Sequence, residues 1–123
     1  MNTQKILFWA STGLLSLMML SSAFNYFTSP QMEAAFQHLG FPSYFRIELG
    51  VAKILGVIAL LVPITPYLLK IFAYSGFFIT FVSAIIAHIA SGDPLQAMLM
   101  PVIALILLIV SIFYYEKLKP KAV

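Results

Sequence analysis

The run from Leu95 to Tyr115 contains no charged side chain, and neither does the run from Ile6 to Phe24. About 20 consecutive apolar residues are needed to cross the ~30 Å hydrocarbon core of a bilayer as a helix. Two further runs, Tyr44 to Val62 and Tyr67 to Ala90, are of similar length and nearly as apolar. Only 9% of the 123 residues are charged and 62% are hydrophobic, whereas soluble domains carry about 25% charged residues. Such a chain cannot cover a water-facing surface. A soluble enzyme, a disordered chain and a disulfide scaffold are therefore excluded. The runs are continuously apolar and do not alternate, so they are helices and not barrel strands. The expected fold is all-α: one antiparallel bundle of four transmembrane helices over residues 1–123, with spans at about 6–24, 44–62, 67–90 and 95–115.

The longest polar stretch, Asn25 to Phe45, separates the first two spans. Ser29-Pro30 is a helix start, a capping residue followed by proline in the first turn. Met32, Ala35, Phe36 and Leu39 recur at helical spacing, and Gly40 ends the pattern. This predicts a short amphipathic helix over 30–39, lying on the membrane surface. Pro63-Ile64-Thr65-Pro66 and Ser91-Gly92-Asp93-Pro94 read as turns. Pro101 predicts a kink in the last span. Tyr67, Tyr74, Tyr114 and Tyr115 lie near span ends, where aromatic belts form. Lys5 followed by an apolar core and Ser21-Ser22-Ala23 also mimics a signal peptide. The apolar stretch is longer than the usual ~7–15-residue signal core, which favours a retained first span.

With four spans, Lys5, Lys70, Lys117, Lys119 and Lys121 fall on one side, and Glu33 and Asp93 on the other. The positive-inside rule makes both termini cytoplasmic. The net charge of +3 is thus a membrane flank, with no nucleic-acid partner implied. The chain has no cysteine, so thiol redox chemistry, thiolate zinc sites and iron–sulfur ligation by this chain are excluded.

Charges inside an apolar helix cost ~2.5–3.5 kcal/mol each at the bilayer centre and mark functional positions. Span two holds Arg46, Glu48 and Lys53, the last about 13 Å below its outer end at 1.5 Å per residue. Glu48 and Lys53 flank a small-residue stripe of Ala52, Gly56 and Ala59, with Gly50 a further packing residue. In span three Gly76, Thr80, Ala84 and His88 recur at four-residue spacing. These two stripes are expected to face each other as packing surfaces. Glu48, Lys53 and His88 would then converge on a polar pocket in the bundle, with Asp93 next to it. The competing reading is that these groups only orient helices, with Glu48, Arg46 and His88 in interfacial water and Lys53 bound to a polar group of span one; Asn25 and Ser11 are candidates. No metal site is expected. Glu48 and His88 are two ligands, short of three or four, and Asp93 or His38 would join only if a loop folds over.

Glu48-Leu49-Gly50-Val51-Ala52-Lys53-Ile54-Leu55-Gly56, a proline turn, Ala73-Tyr74-Ser75-Gly76-Phe77-Phe78 and Ala87-His88-Ile89-Ala90-Ser91-Gly92-Asp93-Pro94 together resemble the DoxX-like family of small bacterial four-helix membrane proteins. The resemblance covers nearly the whole chain. It implies a multi-pass protein of the bacterial inner membrane, with Glu48, Lys53, His88 and Asp93 as the matching site residues. The family is named for a membrane subunit of a thiosulfate:quinone oxidoreductase. Its fold is similar to that of quinone-using, disulfide-forming enzymes, whose chemistry needs cysteines that this chain lacks. The expected function is a redox-linked accessory subunit. It would bind a quinone or another small amphiphile, with Lys53 or His88 bonding a carbonyl oxygen and Glu48 relaying a proton. The chain holds no electron carrier, so another membrane or redox protein would supply electrons. The alternatives are a scaffold or assembly helper for a partner protein and a small-molecule transporter, which a single short bundle would serve only as a homo-oligomer.

Overall fold

The computed structural model describes residues 3–119. Lys121 lies outside the described residues. Five α-helices and one 3-10 turn account for nearly all of them, without strands: α1 Thr3–Thr28, α2 Pro30–His38, α3 Ser43–Leu61, α4 Tyr67–Ala90, the 3-10 segment Leu95–Met98 and α5 Leu99–Leu118. Three helical segments are long and apolar enough to cross a membrane: Thr3–Thr28, Tyr67–Ala90 and Leu95–Leu118. The remaining long helix, α3, carries Arg46, Glu48 and Lys53 and is not among them.

The four long helices form a ring. α1 packs on α3 and α5, and α4 packs on the same two, while the backbones of the diagonal pairs do not approach each other. Successive long helices are antiparallel neighbours, as short connections require. Proline sets these connections. Val62 ends α3 in extended backbone, the conformation that a following proline imposes, and Pro66 precedes the first turn of α4. The core runs through the ring from Leu15 and Met19 of α1 through Val57 and Leu60 of α3 and Tyr74, Phe77 and Phe81 of α4 to Ala104 and Leu108 of α5.

Several sequence expectations are revised. The first helix is longer at both ends than 6–24. Pro101 does not kink a helix interior. It sits in the first turn of α5, where its missing N–H would have had no intrahelical partner. Ser29 occupies the N-cap of α2 in extended backbone without making a side-chain cap bond; its hydroxyl donates instead to Gln31 Oε1 at 2.9 Å. Tyr74 is not a belt residue but a core residue, 2% exposed.

Its phenol needs a partner there, and the core supplies one. Ser111 Oγ lies 2.7 Å from Tyr74 Oη and 2.6 Å from Thr12 Oγ1, so one buried hydroxyl chain ties α1, α4 and α5 together. Lys70 is likewise buried. Its ammonium donates a 2.8 Å bond to the Leu60 carbonyl, one of the four carbonyls that the C-terminus of α3 leaves without helical partners. A cation at that position also meets the negative end of the helix dipole.

Candidate functional site

The four sequence-predicted site residues fall in three places. Lys53 lies at the α1–α3 interface, 5% exposed. A helical side chain leans toward its own N-terminus, which carries the Lys53 ammonium along α3 to the last two turns of α1. There it donates to Ser22 Oγ at 2.8 Å and to Tyr26 Oη at 2.6 Å, and lies 4.1 Å from the Tyr26 ring centre. The polar company on span one is thus Ser22 and Tyr26, not Asn25 or Ser11. Ser11 instead bonds the carbonyls of its own helix at Leu7 and Phe8. One signal for the pair was present in the sequence: Ser22 and Tyr26 are four residues apart on one helix face.

Arg46 lies two turns before Lys53 on the same face of α3 and donates to the main-chain carbonyl of Tyr26. Its Nε is buried without a hydrogen-bond partner. Neither cation has a carboxylate partner among the described residues. Glu48 does not join them. It lies exposed on the outer side of α3, with no hydrogen-bond or ionic partner among the described residues.

His88 and Asp93 do meet, at the far end of α4. Two helix ends of the same type build this cluster. Gly40 after α2 and Gly92 after α4 both take positive φ, 87° and 73°. In each, the glycine N–H and the following N–H bond back to the last turn: Gly40 to Gln37 and Phe41 to Phe36, Gly92 to Ile89 and Asp93 to His88. This motif brings the residue after the glycine against the one five positions earlier, usually as a hydrophobic contact. At the end of α2 that contact is Phe36 with Phe41, ring centres 6.0 Å apart. At the end of α4 it is an ionisable pair, His88 Nδ1 donating to Asp93 Oδ2 at 2.7 Å.

The other carboxylate oxygen of Asp93 accepts from His38 Nε2 of α2 at 2.8 Å. The hydrogen bonds from His88 first and His38 second hold the Asp93 carboxyl below its ordinary value of 3.8. So α2, whose helix packs on α1 and α3, is tied by one side chain to the turn after α4. Phe36, two residues before His38, is buried and meets the Tyr26 ring edge-on at 4.9 Å. The loop thus folds over and assembles His38, His88 and Asp93, but among the described residues no group of three or more such side chains could hold a metal ion.

The small-residue stripes line an open groove of about 550 Å³ between α3 and α4. Ala52, Lys53, Gly56 and Ala59 form one wall and Ala73, Gly76, Phe77 and Thr80 the other. Ala84 and His88 continue the α4 stripe beyond it. At Gly56 a Cβ would come within 2.7 Å of the Phe77 ring, whereas at Gly76 it would meet nothing within 4 Å. Gly50 faces away from the groove, toward α1, where a Cβ would lie 2.9 Å from the Phe27 ring.

Apolar walls with a single basic side chain between them can hold an amphiphile. No curated protein and no solved structure matches the chain significantly. The family model described as the DoxX-like family matches residues 10–111, from the first helix through Ser111 and across every motif that carried the resemblance. The chain is a membrane protein of the DoxX-like family.

Proposed function

We propose that this chain is a single four-span domain of the bacterial inner membrane that binds a small amphiphile in the α3–α4 groove. In this reading α3 is the fourth span. Its charges are tolerated because Lys53 and Arg46 turn inward to oxygen acceptors on α1, while Glu48 lies near the polar outer end of the helix. The side bearing α2 is periplasmic, with α2 at the interface, and both termini are cytoplasmic.

One observation carries the ligand reading. The groove is walled by small and apolar residues, opens laterally among the exposed Leu55, Leu69 and Phe72, and has Lys53 as its basic residue. Its volume falls within the ~300–1,000 Å³ range of ligand sites. An ammonium has three donors, and Ser22 and Tyr26 take two. The third is available to a polar head, with the apolar body running past Gly56 and Gly76. A membrane quinone is one member of this class, and binding it would suit an accessory subunit whose redox partner supplies the electrons.

Photo-crosslinking in proteoliposomes tests the reading. A photoactivatable quinone should label α3 and α4 peptides, and Gly76→Leu, which fills open space, should abolish the labelling. Labelling that ignores Gly76→Leu would defeat the groove assignment. The absence of cysteine allows a separate test of topology. An impermeant maleimide should reach Gln96→Cys from the periplasmic side and Lys117→Cys only after permeabilisation; the reverse pattern would refute the orientation.

A further inference from the structure

Arg46 and Lys53 place two positive charges in the α1–α3 interface, and only uncharged oxygens meet them: Ser22 Oγ, Tyr26 Oη and the Tyr26 carbonyl. No ion pair among the described residues includes either cation. Buried charge is normally compensated by opposite charge as well as by hydrogen bonds. The third Lys53 N–H is left over, and Arg46 Nε is buried without an acceptor. The chain's own candidate counter-ion, Glu48, lies exposed on the outer side of α3. The imbalance therefore has to be met from outside the chain.

Lys53 is also part of the α3–α4 groove wall, near its Leu49 and Thr80 end. Arg46 lies one turn beyond Leu49 along α3. The far end of the groove, at Ala59 and Leu69, is apolar. Glu48, beside Leu49 and one turn before Ala52, is the acid at the Leu49 end, and the two cations outweigh it. A complementary ligand has a negative head toward Arg46 and Lys53 and a hydrocarbon chain toward Leu69.

We propose that the groove takes one acyl chain of an anionic membrane phospholipid, its phosphate drawn to Lys53 and Arg46. This deepens the amphiphile reading of the same groove by fixing the charge of the head. The phosphate would accept from the third Lys53 N–H, a charge-assisted bond of the stronger kind, while the Arg46 charge, one turn beyond Leu49, adds attraction. A neutral quinone would use the same donor and leave the charge uncompensated.

Native mass spectrometry of the full chain, with phosphatidylglycerol, phosphatidylcholine, decylubiquinone or inorganic phosphate added, tests this. Phosphatidylglycerol should bind about tenfold more tightly than phosphatidylcholine, whose phosphate offers the same acceptor oxygens but whose choline ammonium cancels the net negative charge that Lys53 and Arg46 attract. Lys53→Met should remove the preference, Lys53→Arg should keep it, and Gly76→Leu should displace the lipid while both cations remain. Since Lys53→Met exchanges a buried ion for an apolar side chain of similar length, it should still fold; Arg46→Gln gives a second reading if it does not. Equal binding of the two phospholipids would overturn the proposal. So would decylubiquinone binding that phosphatidylglycerol fails to displace, although the groove itself would then stand. Binding of inorganic phosphate alone with the same Lys53 dependence would reassign the site to a free anion. Lipid binding insensitive to Gly76→Leu would remove the groove as well as the headgroup.

Discussion

Lys53 and Tyr26 meet twice: the ammonium donates a 2.6 Å hydrogen bond to the phenol oxygen and lies 4.1 Å from the centre of the same ring. Tyr26→Phe separates the two contacts, keeping the ring and deleting the acceptor. A hydrogen bond to a buried charge contributes ~1.5–3 kcal/mol, and Ser22 remains as partner. The variant should lose about 2 kcal/mol in reversible denaturant unfolding in mixed micelles. An unchanged midpoint would mean that water already satisfies Lys53.

Lys70 bonds the Leu60 carbonyl at the end of α3. Lys70→Met keeps the stem and deletes the donor, leaving a buried carbonyl unpaired. The expected loss is ~1–3 kcal/mol, with faster amide exchange in the last turn of α3. Lys70→Arg should recover most of it.

Gly56 and Gly76 face one groove with opposite tolerances. A methyl group at Gly56 drives into the buried Phe77 ring, and overpacking of that kind costs ~1–3 kcal/mol. Gly76→Ala meets nothing and should be neutral or stabilising, since alanine is the better helix former by about 1 kcal/mol. Equal effects on the thermal midpoint at the two positions would contradict this packing.

Ser111 serves two partners, Thr12 and Tyr74. Ser111→Ala strands both hydroxyls in a buried site and should cost ~1–3 kcal/mol. The double variant Ser111→Ala with Tyr74→Phe should recover part of the loss, because it deletes one stranded hydroxyl. A double-variant cycle shows whether the bonds act together.

Asp93 ties α2 to the turn after α4 through His38. Its carboxyl is depressed below 3.8 by its two imidazole donors. The sign follows from the depression: the stabilisation is fully present above 3.8 and fades as pH falls through the lower folded-state value. Amide exchange of α2, corrected for intrinsic rates, should accelerate only in that acid window. Asp93→Asn and His38→Ala should accelerate it at neutral pH. Exchange in α5 should stay unaffected.

Much of the fold was legible because its cause is local. An uncharged run long enough to cross a bilayer has no soluble alternative. Proline at position 63 and glycine at 40 and 92 end helices, and proline at 66 and 94 precedes new ones, through backbone restrictions that need no neighbour. The candidate site was less legible. Helical angles put Lys53 on an inward-facing stripe, but Ser22 and Tyr26 read as ordinary span residues. Glu48, five positions from Lys53, looked equally inward until the positions of α1 and α4 fixed which sector of α3 is buried.

The sequence by itself determined the medium, the helices, their boundaries to within a turn or so, and the presence of ionisable groups in an apolar helix. Tertiary structure decided which of those groups meet. Hydropathy and helical period act along the chain, over a few residues. The pairing of Lys53 with Tyr26, of Lys70 with Leu60 and of Asp93 with both histidines depends on helix rotation and register. Packing across the whole ring fixes these, and no single segment encodes them.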